Sequence, residues 1–175
     1  MSFKDSKTFK NLEEAFAGEA KAHLKYQFYK SQLGKTSKDL ENHLDEIVHN
    51  EKEHGKIWFK LLHDGALPND VENIIDAIKG ELQEHIEMYP RFALIAKDEG
   101  YEDIGELFDY VAKIEGQHAE EFDEMLKSIE QQNLFKDDDE DCAWICLNCG
   151  HIHYGKTAPE ECPVCKHPQK YFVRD

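Results

Sequence analysis

Long apolar runs are missing from this chain of 175 residues, and cysteine is missing from its first 141 positions. No stretch of about 18 consecutive apolar residues occurs, so no membrane-spanning helix is expected. Residues 1–7 have no apolar core, so no secretory signal is expected and a cytoplasmic location is predicted. Positive charge is also scarce, since 21 Lys and Arg stand against 37 Asp and Glu, giving a formal net charge of −16. A chain this acidic repels phosphate backbones, so nucleic acid is not an expected partner.

Cysteine and proline are concentrated at one end of the sequence. All five cysteines lie in the last 34 positions, and three of the five prolines lie in the last 17. An acidic run at residues 136–141 precedes them and predicts a solvated linker. We therefore predict a helical domain over residues 1–137, an acidic linker over 138–142 and a small domain over 143–175. The last is too short to fold on an apolar core alone, and clustered thiols without a signal sequence favour a metal over disulfides.

Helical periodicity fills the first domain in four stretches. Their predicted spans are residues 6–33, 37–64, 70–99 and 102–132. Along each stretch apolar residues recur at alternating intervals of three and four, which is typical of the inward seam of an antiparallel bundle. Gly34, Gly65 and Gly100 follow three of the ends, where a left-handed residue commonly terminates a helix. The predicted fold class is an all-α four-helix bundle with a small C-terminal β/loop domain stapled by a metal.

Each of the four seams carries a glutamate at mid-length, where an apolar residue is expected. Ionised carboxylates inside a bundle are costly unless paired, and several together repel one another or bind protons. A pair of divalent or trivalent cations removes this conflict. Bundles that hold two irons use one Glu from each of two helices and Glu-x-x-His from each of the other two. The sequence contains that set as Glu19, Glu51 with His54, Glu81, and Glu115 with His118.

The two halves of the helical domain repeat one another. The segment around Glu19 recurs around Glu81 at an offset of 62 residues, and the two Glu-x-x-His pairs are 64 residues apart. This repeat predicts two similar helical hairpins related by a pseudo-twofold axis. The repeat is broken at one position. Glu84 in the third helix corresponds to Ala22 in the first, so the third helix adds one carboxylate to the site.

Five further residues near the seams are predicted to support the site. His23 and His85 lie about one turn beyond the seam glutamates and are predicted to stay outside metal coordination. Tyr26 and Tyr89 are predicted to donate hydrogen bonds to ligating carboxylates, or else to pack in the core. Pro90 predicts a bend of the third helix just after Tyr89.

The C-terminal cysteines have the spacing of a four-thiolate metal site. Two Cys-x-x-Cys pairs are separated by twelve residues, which gives Cys146, Cys149, Cys162 and Cys165 as ligands. Iron and zinc both accept such a set. Nearby aromatic residues and the redox-capable dimetal site favour iron, and a structural zinc ribbon is the alternative. Cys142 falls outside the spacing and is predicted to be an uncoordinated thiol.

Over essentially its full length the chain resembles the rubrerythrin family, in which a ferritin-like diiron bundle precedes a rubredoxin-like FeS4 domain. The motifs above carry the resemblance, together with the strings at residues 17–20, 87–90 and 158–165. It implies that Glu51 and Glu115 bridge the irons. The full ligand set that it implies is Glu19, Glu51, His54, Glu81, Glu84, Glu115 and His118. We expect Glu84 to replace His54 on oxidation, because a carboxylate suits ferric iron and a neutral imidazole suits ferrous iron.

The resemblance also implies an activity. Family members are usually described as peroxide scavengers, so we expect a non-haem diiron peroxidase that reduces hydrogen peroxide to water in oxidative-stress defence. Electrons would come from an external donor, a rubredoxin or an NAD(P)H-dependent reductase, and would pass through the FeS4 domain to the diiron site. An oxygen reductase and a ferroxidase with iron storage are the alternatives. A dedicated electron-delivering domain argues against storage, because a ferroxidase discharges its electrons to oxygen.

Assembly follows from the charge of the linker. Self-repulsion should keep the acidic linker extended, and folding it back along an acidic bundle would be unfavourable. Closed twofold dimers are the commonest assemblies. We therefore expect a head-to-tail homodimer in which the FeS4 centre of one chain reduces the diiron site of the other.

Overall fold

The computed structural model describes residues 2–174, and the chain divides into two compact units, residues 1–68 and 69–175. The first unit has a short 3₁₀ turn at Phe3–Asp5 and two long helices, α1 (Lys7–Leu33) and α2 (Lys38–Leu62). Ser6 begins α1, since its hydroxyl accepts a hydrogen bond from the Phe9 N–H at 3.0 Å. Lys30 pairs with Asp45 at 2.5 Å near the turn, so the helices form an antiparallel hairpin.

The second unit begins with a helix that changes its winding. Helix α3 spans Asp70–Gln83, one π-helical turn spans Glu84–Met88, and α4 continues over Tyr89–Asp98. The predicted single helix over residues 70–99 is therefore interrupted. Pro90 has no N–H for the carbonyl four residues earlier and crowds it, and the widened turn directly before Tyr89 relieves that conflict. The chain then reverses into α5 (Glu102–Glu130).

The helix ends test the predicted glycine positions. Gly65 and Gly100 have positive φ values of 89° and 86°, as predicted. The prediction is wrong at Gly34, whose φ is −60°. There the backbone stays right-handed through the α1–α2 turn, and the Thr36 N–H donates to the Leu33 carbonyl at 2.9 Å.

The C-terminal part of the second unit is a small sheet around a few buried side chains. Strands β1 (Ala143–Cys146), β2 (Ile152–Tyr154) and β3 (Phe172–Arg174) form an antiparallel sheet in the order β2-β1-β3. Trp144 is its largest buried side chain, and the indole N–H donates to the Gly155 carbonyl at 2.7 Å. The rest of this core consists of Cys146, Ala158, Cys162 and Phe172.

The acidic segment before β1 is not extended, which corrects the sequence-based expectation. The N–H groups of Asp139 and Asp141 donate to the carboxylates of Asp137 and Asp139, both at 2.9 Å, so the segment coils into Asx-type turns. Arg174 lies 3.4 Å from the Asp137 carboxylate. A cation from the far end of the domain thus offsets the repulsion that we expected to stretch the chain.

The predicted fold class is confirmed: the chain is mostly helical, with a small C-terminal strand and loop region that gathers four cysteines. Within residues 2–174 no helix is long and apolar enough to cross a membrane. The domain boundaries at residues 137–138 and 142–143 stay predictions.

Candidate metal centres

The first unit brings three of the predicted ligands together. Glu19 projects from α1, and Glu51 and His54 project from one face of α2 because they are one turn apart. Their ligating atoms all lie within 4.8 Å of one another. His54 Nδ1 is 3.2 Å from the Glu51 carboxylate and 3.9 Å from that of Glu19.

The second unit repeats this arrangement. Glu81 of α3 and Glu115 and His118 of α5 also have ligating atoms within 4.8 Å of one another. His118 Nδ1 is 2.8 Å from the Glu115 carboxylate and 3.5 Å from that of Glu81. The two groups therefore contain the same donors in the same order, as the 62- to 64-residue repeat predicts.

Glu84 lies at the start of the π-helical turn, outside the compact group of Glu81, Glu115 and His118. Burial raises the pKa of the Glu84 carboxyl, and the charges of Glu115 and Glu81 raise it further. Burial also raises the pKa of Tyr89, with the charge of Glu84 as the next cause. Glu84 and Tyr89 thus sit in the negative field of the second group, and a cation there would favour the ionised form of Glu84.

His23 and His85 occupy equivalent places and lie outside both ligand groups. The Nδ1–H of His23 donates to the Val48 carbonyl at 2.9 Å, and that of His85 donates to the Ala112 carbonyl at 2.5 Å. Gln27 donates to His23 Nε2 at 3.0 Å, so the imidazole is fixed as its Nδ1–H tautomer. Each hydrogen bond links the two sides of a hairpin: His23 of α1 bonds to α2, and His85 of the π-helical turn bonds to α5. Each histidine lies about one turn from a predicted glutamate ligand.

Gly116 is a residue of the site that the sequence did not reveal. A Cβ atom at this position would lie 2.9 Å from Cε1 of His85, so only glycine leaves room for the ring beside Glu115. The hydrogen bond from His85 to Ala112 holds that ring in place. A glycine directly after the Glu of a Glu-x-x-His pair is the signal that could have indicated it.

The tyrosines take different surroundings. Tyr26 packs against Tyr29, with ring centroids 5.9 Å apart. Tyr89 packs against Phe92 and Phe108 at 6.3 and 6.0 Å. Their hydrogen bonds to ligating carboxylates stay predictions.

The donors in the two helical groups fit iron. Each group offers two carboxylates and one imidazole, a set that suits Fe²⁺ and related divalent ions. Each group consists of two glutamates and one histidine, so its two carboxylates lie close together and neither Lys nor Arg belongs to the group. A bound cation would relieve the repulsion between them.

The four predicted cysteines form a third group, with all Sγ atoms within 4.8 Å of one another. Cys146 and Cys165 are 3.7 Å apart, as are Cys149 and Cys162. These distances suit one tetrahedral ion held by four thiolates. Cys146 and Cys162 are fully buried, whereas Cys149 is exposed, so the group reaches the surface at one edge.

Two similar turns hold these sulfurs. In the first turn, the backbone carbonyl of Cys146 accepts a hydrogen bond from the Gly150 N–H, and the backbone N–H of Cys146 donates to the His151 carbonyl, both at 2.8 Å. In the second turn, sixteen residues later, the backbone carbonyl of Cys162 accepts from the Lys166 N–H at 3.0 Å. The backbone N–H of Cys162 donates to the His167 carbonyl at 2.8 Å. The residue after each pair is left-handed, with φ 75° at Gly150 and 61° at Lys166.

Backbone N–H groups in these turns stabilise thiolates. Burial by itself raises the pKa of Cys165, but hydrogen bonds from the His167 backbone and the Asn148 side chain lower it to about 5. At Cys149 the His151 backbone lowers the pKa, yet the neighbouring thiols and burial raise it to about 12. Of these two thiols Cys165 therefore ionises first, and a bound cation would favour the thiolate of Cys149.

Cys142 takes no part in the group of four. It packs at the margin of the small core. Burial and the charge of Asp137 raise the pKa of its thiol, so it stays protonated at neutral pH.

Comparison with known proteins agrees with these centres. The family model Rubrerythrin matches residues 10–126, and the model described as "Rubrerythrin, rubredoxin-like domain" matches residues 144–173. Rubrerythrin-1 of Clostridium acetobutylicum is 38% identical over 98% of this chain and 95% of its own length. The rubrerythrin of Nitratidesulfovibrio vulgaris is 37% identical over the same shares. A solved structure of partially reduced nigerythrin covers 98% of this chain and 90% of its own, with 26% identity and a TM-score of 0.38.

The metal centres follow from this agreement. The carboxylate and histidine groups belong to a diiron domain, and the four cysteines belong to a rubredoxin-like domain for one iron. The chain belongs to the rubrerythrin family and is an oxidoreductase of the diiron and rubredoxin-like type that serves oxidative-stress defence.

Proposed function

We propose that this protein is a peroxidase that reduces hydrogen peroxide to water at its diiron site. The observation that carries the proposal is the presence of two kinds of redox centre on one chain. The carboxylate and histidine groups suit a pair of irons, and the four-thiolate group suits a single iron. A bound iron pair supplies two electrons together, which matches the demand of one O–O bond: H₂O₂ + 2 H⁺ + 2 e⁻ gives 2 H₂O.

The ligands proposed for the pair are those of the two helical groups with Glu84 added. By resemblance to the rubrerythrin family, Glu51 and Glu115 would bridge the two metals. Glu19 and Glu81 would each bind one metal from the facing helix of the hairpin. His54 and His118 complete the set.

Glu84 is proposed to exchange with His54 as a ligand and to handle a proton as it does so. Burial and two neighbouring carboxylates raise the pKa of Glu84, which favours the protonated carboxyl while no cation is bound. On binding a metal ion the Glu84 carboxyl would give up any proton that it holds, because a ligating carboxylate is deprotonated. The π-helical turn at Glu84–Met88 supports a functional role for Glu84, because single π-helical turns within α-helices are frequent at functional sites.

Electrons are proposed to enter at the exposed edge of the four-thiolate group. Cys149 lies at the surface, and Leu147 and Val164, one within each Cys-x-x-Cys pair, are exposed as well. An external donor protein, a rubredoxin or an NAD(P)H-dependent reductase, can approach this edge closely. We further propose that the protein works as a head-to-tail homodimer in which the FeS4 centre of one chain reduces the diiron site of the other.

The proposal is tested by peroxide consumption with a matched pair of cysteine variants. The iron-loaded protein is supplied with NADH and a rubredoxin reductase system, and loss of peroxide is followed without oxygen. Cys142→Ser should keep the wild-type rate, because Cys142 is outside the metal group. Cys162→Ser should lose continuous turnover, yet its reduced diiron site should still be oxidised once by one equivalent of peroxide. Peroxide loss no faster than with an equal amount of free iron would refute the proposal.

A further inference from the structure

Residues 133–137, here called the clasp segment, follow α5 and bind to the small C-terminal domain. The Ala158 N–H donates to the Phe135 carbonyl at 3.0 Å, and the Asp137 N–H donates to the Lys156 carbonyl at 2.7 Å. An antiparallel bridge lies between these two bonds. The Phe135 side chain packs against the buried core of the small domain. The small domain therefore holds the clasp segment along its length.

The clasp segment is also fixed to the end of α5. Gln132 is left-handed, with a φ of 54°, and its N–H donates to the Ile129 carbonyl at 3.1 Å. The Asn133 N–H donates to the Ser128 carbonyl at 3.0 Å. These two bonds and the left-handed residue form a Schellman motif, which ends the helix in a defined turn. The chain thus passes from α5 into the clasp segment through a hydrogen-bonded turn.

Arg174 of β3 fastens the clasp segment from the far end of the sequence. The guanidinium donates to the Lys136 carbonyl and, at 3.4 Å, to the Asn133 carbonyl. It also lies 3.4 Å from the Asp137 carboxylate and 5.4 Å from the centre of the Trp144 ring. A guanidinium can make these contacts at once because it presents five N–H donors in a planar fork and stacks on aromatic faces.

The acidic linker at residues 138–142 is fixed at both of its ends. The Asp137 N–H binds the Lys156 carbonyl, and the Cys142 carbonyl accepts a hydrogen bond from the Gly155 N–H at 3.0 Å. Gly155 and Lys156 are neighbours in the sequence. The linker therefore leaves the small domain and returns to it at one place, so its length does not determine where the domain lies relative to α5.

We propose that Arg174 is a positioning residue for electron delivery. Together with the clasp segment it holds the FeS4 domain in one orientation at the end of α5, and the acidic linker is a closed loop rather than a tether. A fixed orientation presents the FeS4 centre in the same way in every molecule, whereas a tethered domain would have to search for a productive position. The kinetic part of this inference rests on the electron path of the proposed function, but the attachment itself does not.

Tryptophan fluorescence can test the attachment without any redox reaction. The sequence contains two tryptophans, Trp58 in α2 and Trp144 in the small domain. Trp58→Phe leaves Trp144 as the only one, and it breaks no hydrogen bond of the described residues because the Trp58 indole N–H is unpaired there. Trp144 is 1% exposed and its indole N–H binds the Gly155 carbonyl, so the ring moves with its domain. Time-resolved anisotropy of the full-length, zinc-loaded Trp58→Phe protein then reports how the small domain tumbles.

Two insertions of about four Gly/Ser residues form the matched pair. One is placed between Asp139 and Glu140, inside the acidic linker. The other is placed between Gln132 and Asn133, ahead of the clasp segment. The linker insertion should keep the single slow correlation time of the uninserted protein, whereas the insertion ahead of the clasp segment should add a fast one. A fast component in the uninserted protein, or the same decay for both insertions, would overturn the attachment.

Arg174→Ala tests the positioning residue, with Lys170→Ala as its control. Lys170 carries the same charge in the same domain, but it lies over the Tyr171 ring instead of binding the clasp segment. Arg174→Ala should add a fast anisotropy component, and Lys170→Ala should not. The visible spectrum of the iron-loaded FeS4 centre should be unchanged in both variants. Loss of FeS4 iron in Arg174→Ala alone would overturn the proposal, because Arg174 would then serve the folding of the domain rather than its position.

The kinetic consequence is measured with the reduced, iron-loaded protein and one equivalent of hydrogen peroxide. Peroxide takes two electrons from the diiron site, and a ferrous FeS4 centre then returns one electron to that site and gains its ferric absorbance. This return should be about tenfold or more slower in Arg174→Ala and in the insertion ahead of the clasp segment. It should be unchanged in Lys170→Ala and in the linker insertion.

The possible failures are distinguishable. Equal rates of electron return in Arg174→Ala and Lys170→Ala would overturn the role of Arg174 in electron delivery. A wild-type FeS4 centre that peroxide never oxidises would instead refute the electron path of the proposed function, and the attachment would still be judged by the anisotropy of the two insertions.

Discussion

The two cysteine turns differ at one backbone position, and this difference gives a quantitative prediction. Gly150 and Lys166 both have left-handed φ values, but only Lys166 carries a Cβ. A left-handed conformation costs a non-glycine residue about 1–2 kcal/mol. Removing a glycine regains about 0.4–1 kcal/mol by restricting the unfolded chain. No atom lies within 4 Å of a Cβ built on Gly150, so sterics add nothing. Gly150→Ala should therefore cost about 1 kcal/mol.

The loss should appear as weaker metal binding, since the metal and the fold of this small domain are coupled. A cost of about 1 kcal/mol corresponds to an affinity about fivefold lower. The assay is competition between the zinc-loaded protein and a chelator at pH 7. Lys166→Ala is the matched control. It should change the metal affinity less than twofold. Lysine already has a Cβ in the left-handed conformation, so alanine adds no backbone strain, and the lost ion pair between Lys166 and Glu161 is exposed and contributes little. Equal losses in the two variants would refute the strain argument.

Further substitutions test individual residues of the metal centres. Glu115→Ala should abolish iron-pair binding while the visible absorbance of the FeS4 centre remains, and metal analysis that still finds both irons would exclude Glu115 as a ligand. Glu84→Ala should retain the diferrous site but slow its stable oxidation by peroxide; an unchanged rate in stopped-flow absorbance would show that ligand exchange is unnecessary. Gly116→Ala should displace the His85 ring and weaken iron-pair binding, whereas Gly80→Ala, where a Cβ meets no atom within 4 Å, should bind iron normally and gain up to about 1 kcal/mol of helix stability in thermal unfolding.

Periodicity was sufficient to predict the four helical stretches and the membership of both helical metal groups. A glutamate on an apolar seam is visible in sequence because it breaks a regular pattern, and Glu19 and Glu81 were found in this way. The cysteine spacing was equally direct. These features depend on residues that are close in sequence or that repeat along one helix.

Features that depend on distant contacts or on the detailed path of the backbone were missed. The acidic segment was expected to be extended, but Arg174 reaches Asp137 from 37 positions further along the chain. Pro90 predicted a bend in the third helix. That the helix forms a π-helical turn beginning at Glu84 could not be predicted, because it depends on how the backbone relaxes. The need for glycine at position 116 follows from the His85 ring on a different helix. Gly34 resembled a helix terminator, but the following turn remains right-handed.

The choice of oxidant is the central claim, and rapid mixing tests it most directly. The fully reduced, iron-loaded protein is mixed with hydrogen peroxide under anaerobic conditions and, separately, with oxygen at the same concentration. Oxidation of the diiron site and of the FeS4 centre is followed by absorbance. We predict that peroxide oxidises the diiron site much faster than oxygen does, and that the FeS4 centre is oxidised only through that site. Oxygen reacting as fast as peroxide would contradict the assignment as a peroxidase.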